Sequence, residues 1–286
     1  MQSFQDFFRK AAGDHGIAPY PYQVAFAEGD ELPQLLNVPT GVGKTAAAIL
    51  GWLYRRRFAT TEIRKSTPRR LVYCLPMRTL VEQTKREARR WLSNLNLTED
   101  VGVHLLMGGA DATPWDEYPE RDAILIGTQD MLLSRALNRG YGMSRYRWPM
   151  HFGLLNNDCL WVMDETQLMG VGLTTTAQLQ GLRSKLATYG VTHSLWMSAT
   201  LDAEPITTVD HREPESGWRR LGLDPAKDLK SNSILRLIQA SKACGPGSVK
   251  LTSENAKLAD TMTTKGKAKG NAVASYVGAL ADEVVV

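Results

Sequence analysis

The sequence predicts a doubly wound, mostly parallel α/β sheet. Three observations carry that expectation. Short runs such as Leu71–Leu75, Ala123–Ile126 and Cys159–Met163 are apolar throughout, as strands covered on both faces must be. Segments of helical length lie between them and supply the covers. A glycine-rich loop joins the first run, Leu35-Leu-Asn-Val38, to a helix over Thr45–Arg57.

Taken in order, Phe4, Phe7 and Phe8 recur at helical spacing and Gly13 stops the segment, giving a packing face rather than a binding face. Gly16–Gln23 is a proline-stiffened loop that opens a short helix. A helix runs from about Thr79 to Leu95 after the Leu71–Leu75 strand. Val101–Leu106, Ala123–Ile126, Cys159–Met163 and Ser194–Met197 add strands. The character changes after residue 202. Residues 241–271 are rich in Ser, Thr, Lys and Gly and read as a linker, 272–282 as a helix, and Val284–Val286 as a strand lacking its sheet. Three segments are therefore expected: 1–30, helical with an aromatic loop; 31–201, the sheet domain; and 202–286, a partly irregular extension.

A chain of 286 residues holds one large domain or two small ones. With 43% hydrophobic and 22% charged residues, it is neither wholly disordered nor collagen-like. It has no run of about 18 apolar residues, which speaks against a membrane span. The N-terminus does not read as a secretory signal. The 3 cysteines are far apart with no C-x-x-C pair, against a zinc site or disulfide framework. A cytoplasmic location is expected. The net charge of +4 is compatible with nucleic acid without identifying it.

Val38-Pro-Thr-Gly-Val-Gly-Lys-Thr45 reads as a phosphate-binding loop. Its backbone from Thr40 through Gly41, Val42 and Gly43 can turn successive N–H groups toward phosphate oxygens. Lys44 can meet the β and γ phosphates and the Thr45 hydroxyl can ligate Mg²⁺, while the helix that follows offers its positive end. Val38 stands where the strict pattern has glycine. Asp164-Glu165 follows an apolar strand. Asp164 there can hold Mg²⁺ beside the loop, and Glu165 can orient the attacking water as general base.

These motifs resemble those of superfamily 2 helicases, in the family's order over residues 20–200. Asp164-Glu-Thr-Gln167 is similar to motif II, Ser198-Ala-Thr200 to motif III and Pro76–Gln83 to motif Ia. Gly108-Gly109 and Gly127-Thr-Gln129 fall where motif Ib and its neighbours sit. The resemblance implies a RecA-like first motor domain of a P-loop NTPase, with ATP as substrate and Mg²⁺ as cofactor. It implies Gln23 as the adenine-reading amide, with Tyr20 or Tyr22 stacking on the base or packing in the core. It makes Lys44, Glu165 and Gln167 catalytic, and places Arg78, Thr79, Gly109 and Thr128 on nucleic acid. Hydroxyls of Ser198 and Thr200 bonded to Gln167 would couple nucleotide state to a neighbouring domain.

Within that superfamily, Asp164–Gln180 and Gly127–Arg135 are most similar to the helicase–nuclease of type I CRISPR interference systems. Single-stranded DNA, a CRISPR surveillance complex and a second motor or nuclease domain are the partners this implies, with no membrane. Two departures matter. The family's His-Asp nuclease signature is absent, since Asp14-His15 and Asp210-His211 are reversed and read as surface pairs. No metal cluster is assigned to His15, His104, His151, His193 or His211. No arginine motif that would complete the ATP site is recognised after Thr200, so the chain reads as the first motor domain of a split or truncated protein. The alternatives are a DEAD-box-like RNA helicase, disfavoured by Gln167 in place of an acidic residue, and a nucleotide-gated binding module without turnover. Arg55–Arg57, Lys85-Arg86 and Arg89-Arg90 read as solvated helix faces rather than a DNA track.

Overall fold

A computed structural model describes residues 3–13, 17–108, 114–200, 204–224, 226–228 and 234–236. The expected linker, terminal helix and terminal strand beyond residue 240 lie outside the described residues, as do Gly109 and His15.

Local sequence explains where each element begins. Helix α1 (Phe4–Ala12) is capped by Ser3, whose hydroxyl accepts from the Asp6 N–H at 3.2 Å, and ends at Gly13 with φ 70°. Helix α2 (Pro21–Glu28) starts on a proline, which needs no N–H there. Strand β1 (Leu35–Asn37) leads through the phosphate loop into α3 (Lys44–Arg57), followed by α4 (Thr61–Ser66). Next come β2 (Arg70–Leu75), α5 (Arg78–Leu95), β3 (Val101–Leu106), β4 (Asp122–Thr128) and α6 (Gln129–Ala136). The described chain closes with α7 (Trp148–Asn156), β5 (Cys159–Met163), α8 (Val171–Leu186), β6 (Thr192–Ser198) and β7 (Arg220–Gly222).

The strands form one sheet in the order β3-β4-β2-β5-β6-β1-β7, and every pairing is parallel. Side chains alternate strictly between two cores. Leu71, Tyr73, Leu75, Ile124, Ile126, Leu160 and Val162 pack with α1, α2, α3 and α5. Val72, Cys74, Leu125, Trp161, Met163 and Trp196 face the other way, onto α6, α7 and α8. Because both faces are covered, successive residues are all buried, which is why the strands read as continuous apolar runs. Each fully buried aliphatic side chain contributes about 1.5–3 kcal/mol.

Several polar groups inside this sandwich are paired. Arg70 opens β2 and donates to the carbonyls of Leu154, Pro119 and Asn157 at 3.2, 2.9 and 2.8 Å. The Trp161 and Trp196 indoles donate to Leu155 O and Thr176 Oγ1 at 2.8 and 2.9 Å. Burial pushes the Cys74 and Cys159 thiols up, so they pack as small hydrophobes.

The sheet does not stop at residue 201. Strand β7 pairs with β1, Leu35 opposite Arg220. Its three residues are too short and too polar to announce themselves as a strand. The surface reading of Asp210-His211 is also corrected. The His211 ring is buried between Trp196 and Trp218, at 5.2 and 4.9 Å, and its Nδ1 lies 2.8 Å from Ile206 O. Among the described residues, no helix is long and apolar enough to cross a membrane.

Candidate functional site

In a parallel sheet all strands end on one edge, and binding sites gather there. The loops after β1, β2, β4, β5 and β6 carry the residues singled out from the sequence. A cavity of about 320 Å³ collects Thr40, Gly41, Gly43, Lys44, Thr45, Asp164 and Glu165.

The phosphate loop needs its glycines. Gly41 and Gly43 have φ of 84° and 79°, a region costly for side chains with a Cβ. At Gly43 a Cβ would also meet Gln23 Nε2 at 2.7 Å. Lys44 opens α3, with Nζ donating to Val38 O at 3.2 Å and lying 3.8 Å from Glu165 Oε1. The Val42 side chain is buried. The Val42 carbonyl accepts from the Tyr22 hydroxyl at 2.5 Å.

Gln23 does not line the cavity. It is buried, its Oε1 accepting from Tyr20 N–H at 2.8 Å and its Nε2 donating to Gly43 O at 3.0 Å. In this arrangement the amide braces the loop, and reading an adenine edge would require exchanging one of these bonds. Of the two tyrosines, Tyr22 is in the core and Tyr20 stacks on it at 6.3 Å.

Asp164 directly follows β5, is 5% exposed, and accepts from Tyr73 OH at 2.7 Å and Glu165 N–H at 2.9 Å. Burial pushes its carboxyl above the usual range, opposed by the Tyr73 bond. Tyr73, on neighbouring β2, was not foreseen. A lone tyrosine in an aliphatic strand is the signal, since a buried phenol needs a partner. Glu165 adopts φ 52°, ψ 48°, a left-handed conformation that side-chain-bearing residues rarely hold. Gln167 Nε2 donates to Glu165 Oε2 at 2.6 Å, and Ser198 Oγ donates to Gln167 Oε1 at 2.7 Å. The expected contact of Ser198 with Gln167 is thus present. Thr200 joins only through its N–H, which donates to Ser198 Oγ at 3.1 Å.

Thr45 and Asp164 offer only hard oxygen donors. Among the described residues no set of three His, Cys, Asp or Glu side chains could cage a metal. One carboxylate and one hydroxyl fit Mg²⁺, which keeps several waters and is shared with substrate phosphates.

Farther along the edge, Arg78 and Thr79 are exposed in the first turn of α5, which carries no acidic residue. Thr128 is the N-cap of α6 and its hydroxyl makes no capping bond. Such exposed donors at helix starts are the chemistry that can bind an anion. The basic run at the end of α3 is not a solvated face throughout. Arg55 is buried against the carbonyls of Phe26, Gly29 and Asp30, and burial lowers its pKa to about 10. Arg56 and Arg57 each pair with Asp122 at 2.9 Å. Arg86, Arg89 and Arg90 are exposed on α5, as expected.

Comparison with curated proteins gives no match. Among solved structures the chain is similar to the helicase MrfA bound to DNA, at 19% identity and TM-score 0.55, covering 78% of this chain and 28% of that one. It is also similar to Mss116p bound to single-stranded RNA and AMP-PNP, at 18% identity and TM-score 0.50, covering 76% and 42%. The chain thus spans less than half the length of either protein, and at these identities the likeness concerns the fold of a RecA-like helicase domain. The DEAD/DEAH box helicase family model matches residues 25–209. That match takes in the phosphate loop, the Asp164–Gln167 carboxylates and relay, and Ser198–Thr200, and by it the chain belongs to the DEAD/DEAH box helicase family.

Proposed function

We propose that this chain is the first motor domain of an MgATP-driven helicase or translocase acting on single-stranded DNA in CRISPR interference, in the cytoplasm. The observation that carries the motor reading is the continuous polar path from Lys44 through Glu165 and Gln167 to Ser198. It ties the phosphate loop to β6 in steps short enough to move together. The DNA and CRISPR assignments are supported by the resemblance of Asp164–Gln180 and Gly127–Arg135 to the type I helicase–nuclease.

In this reading the N–H groups of Thr40–Gly43 and the ammonium of Lys44 hold the ATP phosphates. Thr45 and Asp164 hold Mg²⁺, which neutralises charge on the β and γ phosphates when bound. Glu165 takes a proton from the attacking water, and Gln167 keeps that carboxylate aimed. Exchange of the Gln167 bond during the cycle transmits the γ-phosphate state to Ser198. Arg78, Thr79, Gly109 and Thr128 hold the strand. A second motor domain or nuclease partner acts with it, and a surveillance complex loads the DNA.

The test compares affinity for a fluorescent ATP analogue, and ATPase rate, with single-stranded DNA, RNA or neither. Coupled sites raise each other's affinity reciprocally, so the experiment works even at slow turnover. DNA-specific tightening supports the proposal. RNA-specific tightening assigns an RNA helicase instead, and binding with neither coupling nor turnover makes the chain a nucleotide-gated module.

A further inference from the structure

A second and larger cavity, of about 730 Å³, opens where β3 ends. It shares no lining residue with the phosphate-loop cavity. β3 stands five inter-strand spacings from β1 in the sheet, about 24 Å, so the two sites hold separate groups. The ends of β2 and β4, with Arg78, Thr79 and Thr128, form a row along the edge that leads to it.

Its interior is a paired charge cluster with donors to spare. The Asp116 carboxylate is buried and accepts two bonds from Arg147, one from Nε at 3.0 Å, while His151 Nε2 lies 3.0 Å from its Oδ2. With that nitrogen protonated, His151 Nδ1 is an acceptor, and Arg135 Nη1 lies 3.4 Å from it. Burial, helped by the Arg135 charge, lowers the imidazole to about 4, so it is neutral at neutral pH. Arg147 balances Asp116, and among the described residues Arg135 makes no ion pair of its own. The Nε of Arg135 and the Nε1 of Trp115 are both buried without a hydrogen-bond partner among the described residues, a costly state for donors. Trp115 packs on the His151 ring at 4.7 Å, Met107, Met131 and Met143 supply polarisable walls, and Tyr141 stands 70% exposed at the mouth.

An occupant must bring a negative charge for Arg135 and a flat apolar body for aromatic and methionine walls. A nucleotide has both; a bare anion lacks the body. We propose that this cavity is a base pocket that takes one splayed nucleotide of the bound single strand. The base lies against the Trp115 and methionine walls under Tyr141, and its phosphate meets Arg135. The inference rests on the reading that a single strand crosses this edge, and it adds a site where the protein grips a base rather than only the backbone.

The test uses fluorescence anisotropy of this chain with labelled single-stranded DNA in which one abasic site is walked along the strand, with a non-hydrolysable ATP analogue present. One position should weaken binding about 5- to 150-fold, the range that stacking of a single base supplies. That penalty should vanish in Arg135→Gln and in Tyr141→Ala, while affinity for the ATP analogue stays unchanged. A flat abasic profile, or the same profile in both variants, overturns the pocket. Free deoxynucleoside monophosphate competing as well as the oligonucleotide would reassign it to a small nucleotide and overturn the strand reading. If ATP analogue binds and no strand does, the nucleic-acid reading itself fails, and the base pocket with it.

Discussion

Replacing Tyr73 with phenylalanine isolates the phenol–carboxylate contact that holds Asp164. The Tyr73 hydroxyl donates to Asp164 Oδ2 at 2.7 Å, and both residues are buried, at 0% and 5% exposure. Solvent cannot replace the lost donor there, so little discount for screening applies. A hydrogen bond to an ionised group contributes about 1.5–3 kcal/mol. Burial raises the Asp164 carboxyl and the Tyr73 bond lowers it, so Tyr73→Phe moves that carboxyl further up. A carboxyl raised on folding contributes stability that is fully present below the ordinary carboxylate range and is lost as pH rises through the folded value. The variant should therefore lose about 1.5–3 kcal/mol at pH 8 and less at pH 4, toward the protonated side of the carboxyl's titration, where the lost bond is increasingly a neutral one. Ionised Asp164 is also what Mg²⁺ requires, so affinity for MgATP should fall by about 10- to 150-fold at pH 7. Urea unfolding at the two pH values, with ATP-analogue titrations at varied Mg²⁺, measures both effects. An equal stability loss at pH 4 and pH 8, or unchanged Mg²⁺ dependence, would refute the assignment of this bond.

The remaining expectations concern the reaction. Lys44→Ala removes an ammonium from the cavity and should cost at least about 10-fold in affinity for a fluorescent ATP analogue; full affinity in a folded variant would sink the phosphate-loop assignment. Glu165→Gln keeps shape and reach but not basicity, so it should retain ATP while hydrolysing it about 10²–10⁴ times more slowly. Parental turnover in that variant would move the base elsewhere. Among the described residues no arginine lines the cavity, so this chain alone should bind ATP yet turn it over slowly. A second motor domain supplying arginines should raise the rate about 10³–10⁵-fold. Robust DNA-stimulated ATPase from the chain alone, lost in Glu165→Gln, would mean that Arg219, Arg220 or Arg236 acts as the finger.

How much was legible in the sequence follows from where the information sits. The phosphate loop, Asp164-Glu165 and the strand–helix alternation are written in contiguous residues, so their placement on one sheet edge could be read directly. Groups that act across the sheet could not. Tyr73 meets Asp164 only because β2 and β5 are neighbours in the strand order, and adjacency of strands is not encoded locally. Arg55 looked like part of a basic run, but α2 and the turn after it fold back to present three carbonyls to its guanidinium. His151 and Asp116 are far apart in sequence and meet in the second cavity. Strand β7 has too few residues for a period, and its partner β1 selects it.

That strand has a consequence for the nucleotide site. After β7 the chain turns back over α2, and the carboxylate of Asp228, fully buried, accepts from Tyr22 N–H at 3.4 Å and Asp224 N–H at 2.7 Å. Tyr22 in turn bonds Val42 O, and its neighbour Gln23 bonds Gly43 O. The phosphate loop is therefore braced from behind by α2, and α2 is pinned by a segment beyond residue 201. Its front faces Glu165, which Gln167 and Ser198 tie to β6. A loop whose N–H groups must point at phosphates has many alternative conformations, and glycines at 41 and 43 widen that freedom. The two braces offset that entropy before nucleotide arrives, which leaves more of the binding free energy for interactions that change during the cycle. Of these supports, the rear one is made of buried bonds to backbone and is built to persist. The front one passes through the exposed Gln167 and the left-handed, partly exposed Glu165. A cyclic motor needs that asymmetry, with a fixed floor for the phosphates and a wall that can register their loss.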